Sequence, residues 1–594
     1  MRAPKPPPPA VSISTSRHLL GPCGVCYRGA AHGTPWRLKE RLKSMASGNR
    51  FDPVTLEILW SRLISIADES AAALLRTSFS TIVRESNDFA TVLMDANADS
   101  LAENTGGIAS FNGILPRTAK HFLARFPRET WRPGDCVITN DPWLATGHLP
   151  DITMVMPVFH DGRLVAFSGS IAHSPDIGGS LWSADCRELF EEGLRIAPVK
   201  YLREGEVNAE LEEMILGNVR VPDQVLGDLN AQVTANRVCG RRLAEFLDDA
   251  GMVDLAALSA TLLDRGDQAM RRAIAAVPDG TYRASTRADG FDQDETYIEC
   301  AITVSGSEIR LDYAGTSRQI GRGLNCVMNY THAYSAYPLK CALDPDTPRN
   351  EGSYRPITVV APEGSILNPT FPAPCNARQL TGHLLAGVIY KALAQAVPDR
   401  VLAECGGAPT MRAVFSGDDG RGRRFSQILF ASGGMGASTH GDGLATTAFP
   451  TNAGAGSIEA FESIAPLLVW RKALRVDSGG AGRHRGGLGQ ECEIENRCPK
   501  TLQLSLLSDR WKYPAEGMLG GHPGACSRIV FDDGRTPHPK SRTLIEPGQR
   551  ITLSYAGGGG VGDPRERARD AVREDLADGY ISAATARDVY GLEP

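Results

Sequence analysis

The stretch NDPWLATGHLPDITMVMPVFHDGRLVAFSGSIAHSPDIGG, Asn140 to Gly179, decides how the chain is read. Ile152 to Phe159 is apolar and rich in strand formers, His160-Asp161-Gly162 is a turn signal, and Leu164 to Ala172 is a second strand-like run. The segment therefore predicts an antiparallel hairpin. Positions 151 and 173 are equidistant from Gly162. Pairing symmetric about that turn puts Asp151 opposite His173 with side chains about 5 Å apart, and His148 stands three residues earlier on the loop leading in. Two imidazoles and a carboxylate then converge at one open end. Pro157 complicates the pattern, because proline inside a strand favours an edge or a bulge and could shift the register.

A histidine and carboxylate set with no cysteine nearby suits a borderline or hard divalent ion, Zn, Mn or Fe(II), rather than a structural thiolate zinc site. The spacing also fits a second reading, in which these side chains cap turns and bond loop backbone around Gly147, Gly178 and Gly179.

Outward from the hairpin, 594 residues with 42% hydrophobic and 22% charged side chains describe a globular chain long enough for several domains. A net charge of -6 gives no general attraction to nucleic acid or anionic lipid, and no long basic run interleaved with aromatics is present. No apolar segment reaches the ~18 residues of a membrane span, so neither nucleic acid nor membrane is an expected partner and the expected location is the cytoplasm. The 13 cysteines are an odd number scattered along the chain, the usage of reduced thiols rather than of a disulfide framework. Cys23 and Cys26 form a CxxC pair with no second pair to complete a zinc site.

The expected fold class is α+β (mixed α/β), in several domains. Residues 1–50 begin with the run Pro6 to Pro9, carry almost no acid, and read as a disordered or mis-annotated extension with translation starting at Met45. Residues 51–277 form the metal-binding domain. It opens with Asp52-Pro53 as cap and first turn of a long helix through Ser78, whose positions Val54, Ile58, Leu59, Leu63 and Ile66 follow helical spacing. It closes with a helical run from Val207 to Val277, where Leu226, Leu229, Val233, Leu243 and Phe246 make an apolar stripe fit for core or interface. Residues 278–480 read as a mixed α/β domain, with strands Tyr297 to Val304 and Glu308 to Tyr313 and a helix Thr381 to Val397. Residues 481–563 read as a β-rich glycine-loop domain, and 564–594 as a helical tail with Ser582 capping its second helix.

Glycine punctuates the second half in SGGMG (Ser432 to Gly436), SGGAGRHRGGLG (Ser478 to Gly489), LGGHPG (Leu519 to Gly524) and GGGG (Gly557 to Gly560). Each fits a tight turn between strands or, with Arg483 and Arg485, a backbone cradle for an anion. No lysine directly follows a glycine anywhere in the chain, which excludes a Walker A loop.

Several separated segments together resemble the B subunit of the hydantoinase/oxoprolinase family, which includes N-methylhydantoinase, the second half of 5-oxoprolinase and the alpha subunits of acetone carboxylases. They are FDPVTLEILWSRL from Phe51, RESNDFA from Arg84, NDPWLATGHLPDIT from Asn140, AHSPDIGG from Ala172, ELFEEGLRIAPV from Glu188, SGGAGRHRGGLG, SDRWKYPAEGMLGGHPG from Ser508, and GGGGVGDP from Gly557. The resemblance implies a divalent metal held by Glu85, His148, Asp151 and His173. It promotes Glu85, by itself an ordinary loop charge beside Arg84, to a fourth ligand, although RESND lacks the second arginine many relatives carry after the glutamate.

The resemblance further implies an A-type partner subunit with an actin-like ATPase fold, which uses ATP to phosphorylate a cyclic amide oxygen and passes the activated species to the metal site. A metal lowers the pKa of bound water toward ~7 and so supplies a nucleophile for the activated ring carbon. Asp176 could orient a ligand or accept a proton there, or simply cap the Ile177-Gly178-Gly179 turn. The expected function is the B-type subunit of an ATP-dependent hydrolase opening a hydantoin, 5-oxoproline or lactam ring. The alternatives are the alpha subunit of an ATP-dependent ketone carboxylase and a non-catalytic structural partner of the ATPase.

Overall fold

The structure, a computed structural model, describes residues 51–592 apart from Leu181 and Thr410. The expectations for residues 1–50, including Met45 and the Cys23/Cys26 pair, lie outside these. The hairpin occupies the centre of an antiparallel sheet of seven strands, β1 (Phe89–Asp95), β2 (Ser100–Glu103), β3 (Cys136–Thr139), β4 (Asp151–His160), β5 (Arg163–His173), β6 (Val199–Arg203) and β7 (Glu206–Val207). Their order is β2-β1-β5-β4-β3-β6-β7.

Asp151 pairs with His173, and the register symmetric about Gly162 runs unbroken from there to Val158 opposite Ala166. A bulge between Val158 and Phe159 then shifts it by one residue. This lets a two-residue turn close the hairpin with Asp161 at φ 47° and Gly162 at φ 77°, the paired left-handed conformations of a type I′ turn. Pro157 sits one residue before that bulge. It also lies past the end of the β3 pairing, which covers only Thr153 to Val155, so its missing N–H forfeits no bond to that strand.

The two-residue period of a strand sorts the hairpin's side chains between two helical layers. Ile152, Met154 and Met156 pack with Val225, Leu229 and Val233 of the helix Pro222–Ala250. Val155, Phe167 and Ile171 face the other way, onto Phe111, Leu115 and Phe122 of the helix Ala109–Arg125. Gly169 permits that second contact, since a Cβ there would lie 2.2 Å from Leu115 Cδ2. Asp151 and His173 share parity with Val155 and Ile171 and emerge on the Phe111 side.

Asp52 Oδ1 accepts from the amides of Val54 and Thr55 and caps the helix Pro53–Thr77, as its sequence predicts. Leu59, Leu63 and Ile66 are buried in it, but Val54 and Ile58 are 69% and 47% exposed, because the buried stripe rotates away from the first turn. The helices Ala209–Leu216, Pro222–Ala250 and Ala256–Ala275 fill the expected helical run, and Gly251 at φ 67° ends the second. Leu229, Val233, Leu243 and Phe246 are buried against the sheet and its flanking helices, so that stripe is core; Leu226 is half-buried.

A second sheet, Gly280–Phe291, Asp294–Ser305, Glu308–Asp312 and Ile357–Val360, packs with the helices Met328–Leu343 and Leu384–Leu393 in the largest core cluster. Two four-stranded sheets follow. Arg412–Asp418 pairs with both Arg424–Phe430 and Leu502–Leu507, and Leu467–Leu474 pairs with Gln490–Asn496. Both sheets thus run across the divide expected at 480, because one core containing Phe415, Leu504, Ile494 and Phe531 serves strands from each side. Every described cysteine is a free thiol. Among the described residues no helix is long and apolar enough to cross a membrane.

The glycine stretches are neither isolated turns nor anion cradles. They run side by side as extended segments: Gly558 donates to Gly487 and Gly480 to Gly558, while Gly434 donates to Ala556 and Gly559 to Glu404. Apart from the Leu519-Gly520 turn, at φ 53° and 92°, their φ values are ordinary, so conformational freedom does not explain them. Close approach does, since a Cβ on Gly434 would lie 1.7 Å from the Gly487 carbonyl and one on Gly557 1.7 Å from that of Ser478. Amides bonded in this way are not available to an anion. Arg485 is occupied as well, pairing with Asp575 of the C-terminal helix Arg569–Ala577.

Candidate metal centre

The open end of the hairpin is closed over by the loop Cys375 to Gln379 and forms a buried cavity. His148, Asp151 and His173 are 2%, 0% and 2% exposed. One ligand atom from each lies within 4.8 Å of the others, and no other cluster of this kind occurs among the described residues. His173 donates from Nδ1 to Asp151 Oδ1 at 2.6 Å, which leaves Nε2 as its lone-pair nitrogen. His148 Nδ1 lies 3.2 Å from the Asn376 carbonyl and 3.3 Å from Arg378 Nη1; in the tautomer that donates to the carbonyl, Nε2 is again the free acceptor. That Nε2 is 2.9 Å from Asp151 Oδ1 but is not aligned for a hydrogen bond.

Neither Nε2 has a hydrogen-bond partner, although both are buried. Two desolvated lone pairs beside a carboxylate are costly when left alone, and a divalent cation is the partner that satisfies all three. The residues present therefore fit a metal, and an N2O donor set suits Zn, Mn or Fe(II) alike.

Electrostatics prepares the same chemistry. Burial, together with the Arg378 guanidinium 3.3 Å from Nδ1, pushes His148 down to about 4 and holds it neutral. Burial opposes charge on Asp151, but the Arg378 guanidinium and the N–H of His173 outweigh it and hold the carboxyl well below its usual range. Arg378 Nη2 donates to Asp151 Oδ2 at 2.6 Å, and its guanidinium lies over the Tyr330 ring at 4.0 Å. His173 is stacked on Trp182, centroids 4.6 Å apart, which fixes its ring plane. Beneath the loop, Glu192 Oε1 accepts from the amides of Cys375 and Asn376 at 2.7 and 2.8 Å, so the carbonyl that orients His148 is itself braced.

Three of the expected ligands come together; Glu85 does not join them. It ends the four-residue helix Thr81–Arg84, pairs with Arg84 at 3.7 Å, and borders a separate cavity with Ser86, Gln427 and Gly456. Asn87, left-handed at φ 52°, then swings the chain inward. Asp88 is the acidic residue of RESND that lines the triad's cavity, with Oδ2 4.0 Å from His173 Nδ1. Asp176 accepts from the Gly178 amide at 2.9 Å and from Arg220 Nη1 at 2.7 Å, and it does not line the cavity. Its carboxylate is taken up by the turn and its anchor.

Sequence reasoning missed Trp182, Tyr330, Tyr334, Arg378, Gln379, His383 and Arg412, all of which line the cavity. They come from distant segments that carry no spacing pattern linking them to the hairpin. The polar run Asn376-Ala377-Arg378-Gln379, set between a proline-rich turn and an apolar helix, is the nearest thing to a signal.

Comparison with known proteins identifies the family and the fold. The family model for hydantoinase B/oxoprolinase matches residues 52–564. Caprolactamase subunit beta of Pseudomonas jessenii is 30% identical over 564 residues, covering 92% of this chain and 96% of that one. The crystal structure of ATP-dependent caprolactamase from the same organism has a TM-score of 0.85 at 28% identity, over 92% of this chain and 97% of that one. Nucleotide-free acetone carboxylase shares the fold, with a TM-score of 0.83 at 19% identity over 94% of this chain and 84% of that one. With the model matched across nearly all of the described residues and a relative 30% identical over 92% of the chain, this chain belongs to the hydantoinase B/oxoprolinase family.

Proposed function

We propose that this chain is the B-type subunit of an ATP-dependent cyclic amide hydrolase, with His148, Asp151 and His173 holding a divalent ion where the ring is opened. One observation carries the reading: a buried, ligand-ready triad lies in a chain that is similar over 92% of its length to a caprolactamase subunit. A divalent ion there would supply Lewis acidity, acidifying water beside the activated ring carbon.

The chain's own residues do the rest. Asp151 keeps its negative charge through Arg378, and Asn376 and Trp182 fix the two imidazole planes. Ile108 and Phe111 form an apolar wall that keeps bulk water from the activated substrate. Activation falls to a partner ATPase of the actin-like A type, since this chain has no lysine-bearing phosphate loop and its glycine segments are bonded to one another. An unactivated lactam resists attack because amide resonance makes its carbonyl carbon a poor electrophile, and O-phosphorylation removes that protection: water adds to the ring carbon, the C–N bond breaks as the nitrogen takes a proton, and the acyl phosphate left behind is hydrolysed to carboxylate and inorganic phosphate.

The test is ATP-dependent turnover by the co-purified pair over hydantoins, 5-oxoproline and lactams, with a ketone plus bicarbonate as a further arm. Ring opening that needs both subunits and ATP supports the reading. Ring opening by this chain alone without ATP, or consumption of the ketone and bicarbonate instead, overturns it.

A further inference from the structure

Two arginines line the metal cavity, and their donors are used differently. Arg378 is held at two nitrogens, with Nε donating to the Thr146 carbonyl at 2.5 Å and Nη2 donating to Asp151, while Nη1 lies 3.3 Å from His148 Nδ1. Arg412 begins the strand Arg412–Asp418 and is paired there with Phe430 on one side and Leu507 on the other, so its backbone is fixed by two neighbours. Its side chain is 9% exposed, with the guanidinium 4.8 Å from the Phe430 ring centroid and 5.8 Å from that of Trp182. Nη2 reaches no closer than 3.7 Å to Asp88, and Nη1 is buried with no hydrogen-bond partner.

Gln379 lines the same cavity at 2% exposure, and neither its Oε1 nor its Nε2 has a partner. Buried donors left open, one of them charged, are costly to a fold and mark a place where a ligand supplies the acceptors. Trp182 connects this pair to the triad, because His173 is stacked on the ring that Arg412 approaches. An oxyanion held here therefore lies beside the site of ring opening.

We propose that Arg412 and Gln379 form an oxyanion-binding subsite of this cavity and take the phosphoryl oxygens of an O-phosphorylated amide. This rests on the hydrolase reading above. A phosphoryl group suits the pair because its several equatorial oxygens can accept from a guanidinium and an amide together, and charge-assisted bonds of that kind are the strong ones. Arg412 is a binding and positioning residue in this account: it orients the activated carbon and holds the phosphoryl group while water adds and the C–N bond breaks, and phosphate leaves when the resulting acyl phosphate is hydrolysed.

The experiment titrates inorganic phosphate calorimetrically into the metal-loaded full chain. Arg412→Gln is expected to weaken phosphate binding tenfold or more and Gln379→Met a few-fold, each with unchanged metal stoichiometry. Arg412→Lys, which keeps the charge and most of the packing, should fall between them and decides the matter if Arg412→Gln does not fold. With the partner and ATP, Arg412→Lys should raise the ATP consumed per ring opened, a ratio that a purely structural defect would leave alone.

Phosphate affinity indifferent to all three variants overturns the subsite, and acetate binding as tightly as phosphate overturns its phosphoryl assignment. Arg412-dependent phosphate binding in a pair that opens no cyclic amide fells the hydrolase reading and leaves the oxyanion subsite standing. Turnover with unaltered phosphate binding in the variants does the reverse.

Discussion

The hairpin end and the glycine layer solve opposite problems with the same backbone chemistry. At the hairpin, strands hold side chains whose polar atoms are deliberately left incomplete, and the unpartnered Nε2 atoms of His148 and His173 are what make it a site. In the glycine layer side chains are absent, and the amides and carbonyls of Gly434, Gly480, Gly487 and Gly558 to Gly560 complete one another. A glycine-rich sequence looks like a ligand cradle only while its backbone partners are unknown. The buried, unpartnered nitrogens mark the candidate site, and the glycine layer, whose backbone groups are bonded to neighbouring segments, is scaffold.

The largest expected effect breaks the scaffold. Gly434→Ala or Gly557→Ala brings a Cβ to 1.7 Å from a carbonyl oxygen that belongs to a bonded neighbour and cannot move away. Each should cost more than ~4 kcal/mol or prevent folding, in the rare class of severe point mutations. Gly321→Ala is the control, since it meets nothing within 4 Å and should stay within ~0.5 kcal/mol. Urea denaturation of the three measures this, and a Gly434→Ala chain as stable as the control would show that the segments are not in contact.

The next effect separates charge from ligation inside the site. Asp151→Asn removes the partner of Arg378, whose side chain is 4% exposed, and breaking a buried pair in this way costs about 3–5 kcal/mol. His148→Ala removes a neutral ring and leaves no charge unpaired. Both variants should lose bound metal by elemental analysis, but only Asp151→Asn should lose that much stability. Equal stability losses would mean that Arg378 finds another partner.

The contrast also explains what the sequence could reveal. Register about Gly162 is local, set by period-two alternation and a two-residue turn, so Asp151, His173 and the approaching His148 could be brought together from spacing alone. Helices over 53–77 and 222–250 were legible for the same reason. Arg378 and Arg412 reach the cavity through loop closure and sheet pairing more than 200 residues downstream, and no local pattern encodes that. The glycine layer failed differently: turn and anion-cradle chemistry is local, whereas stacked extended segments are a tertiary arrangement. Glu85 was named by resemblance, and the left-handed Asn87 sends Asp88 to the cavity instead.

A third measurement sharpens that last point. Asp88→Asn should weaken metal binding by about 10–100-fold, the range seen when a group beside the ligands is lost, and Glu85→Gln should leave it unchanged. Zinc or manganese titration of both variants decides between them. A loss confined to Glu85→Gln would restore that residue to the ligand set and require the Thr81–Arg84 segment to turn inward.

The last effect is a pH dependence confined to the site's brace. Burial pushes the Glu192 carboxyl up to about 8, against an ordinary value of 4.5, even though it accepts from the Cys375 and Asn376 amides. Between those two values the folded chain keeps a proton that the unfolded chain has released, so stability falls as pH rises through the window and levels off above it. For one group the slope is about 1.4 kcal/mol per pH unit. Glu192→Gln keeps the accepting oxygen and removes the titration, so it should flatten the urea midpoint between pH 6 and 8 and become the more stable chain at pH 8. Because the Asn376 carbonyl and His148 stay in place, it should still bind metal as the unaltered chain does at pH 7. The same midpoint slope in both chains would remove Glu192 from the linkage, and lost metal in the variant would mean that its charge, rather than its hydrogen bonds, holds the loop over the triad.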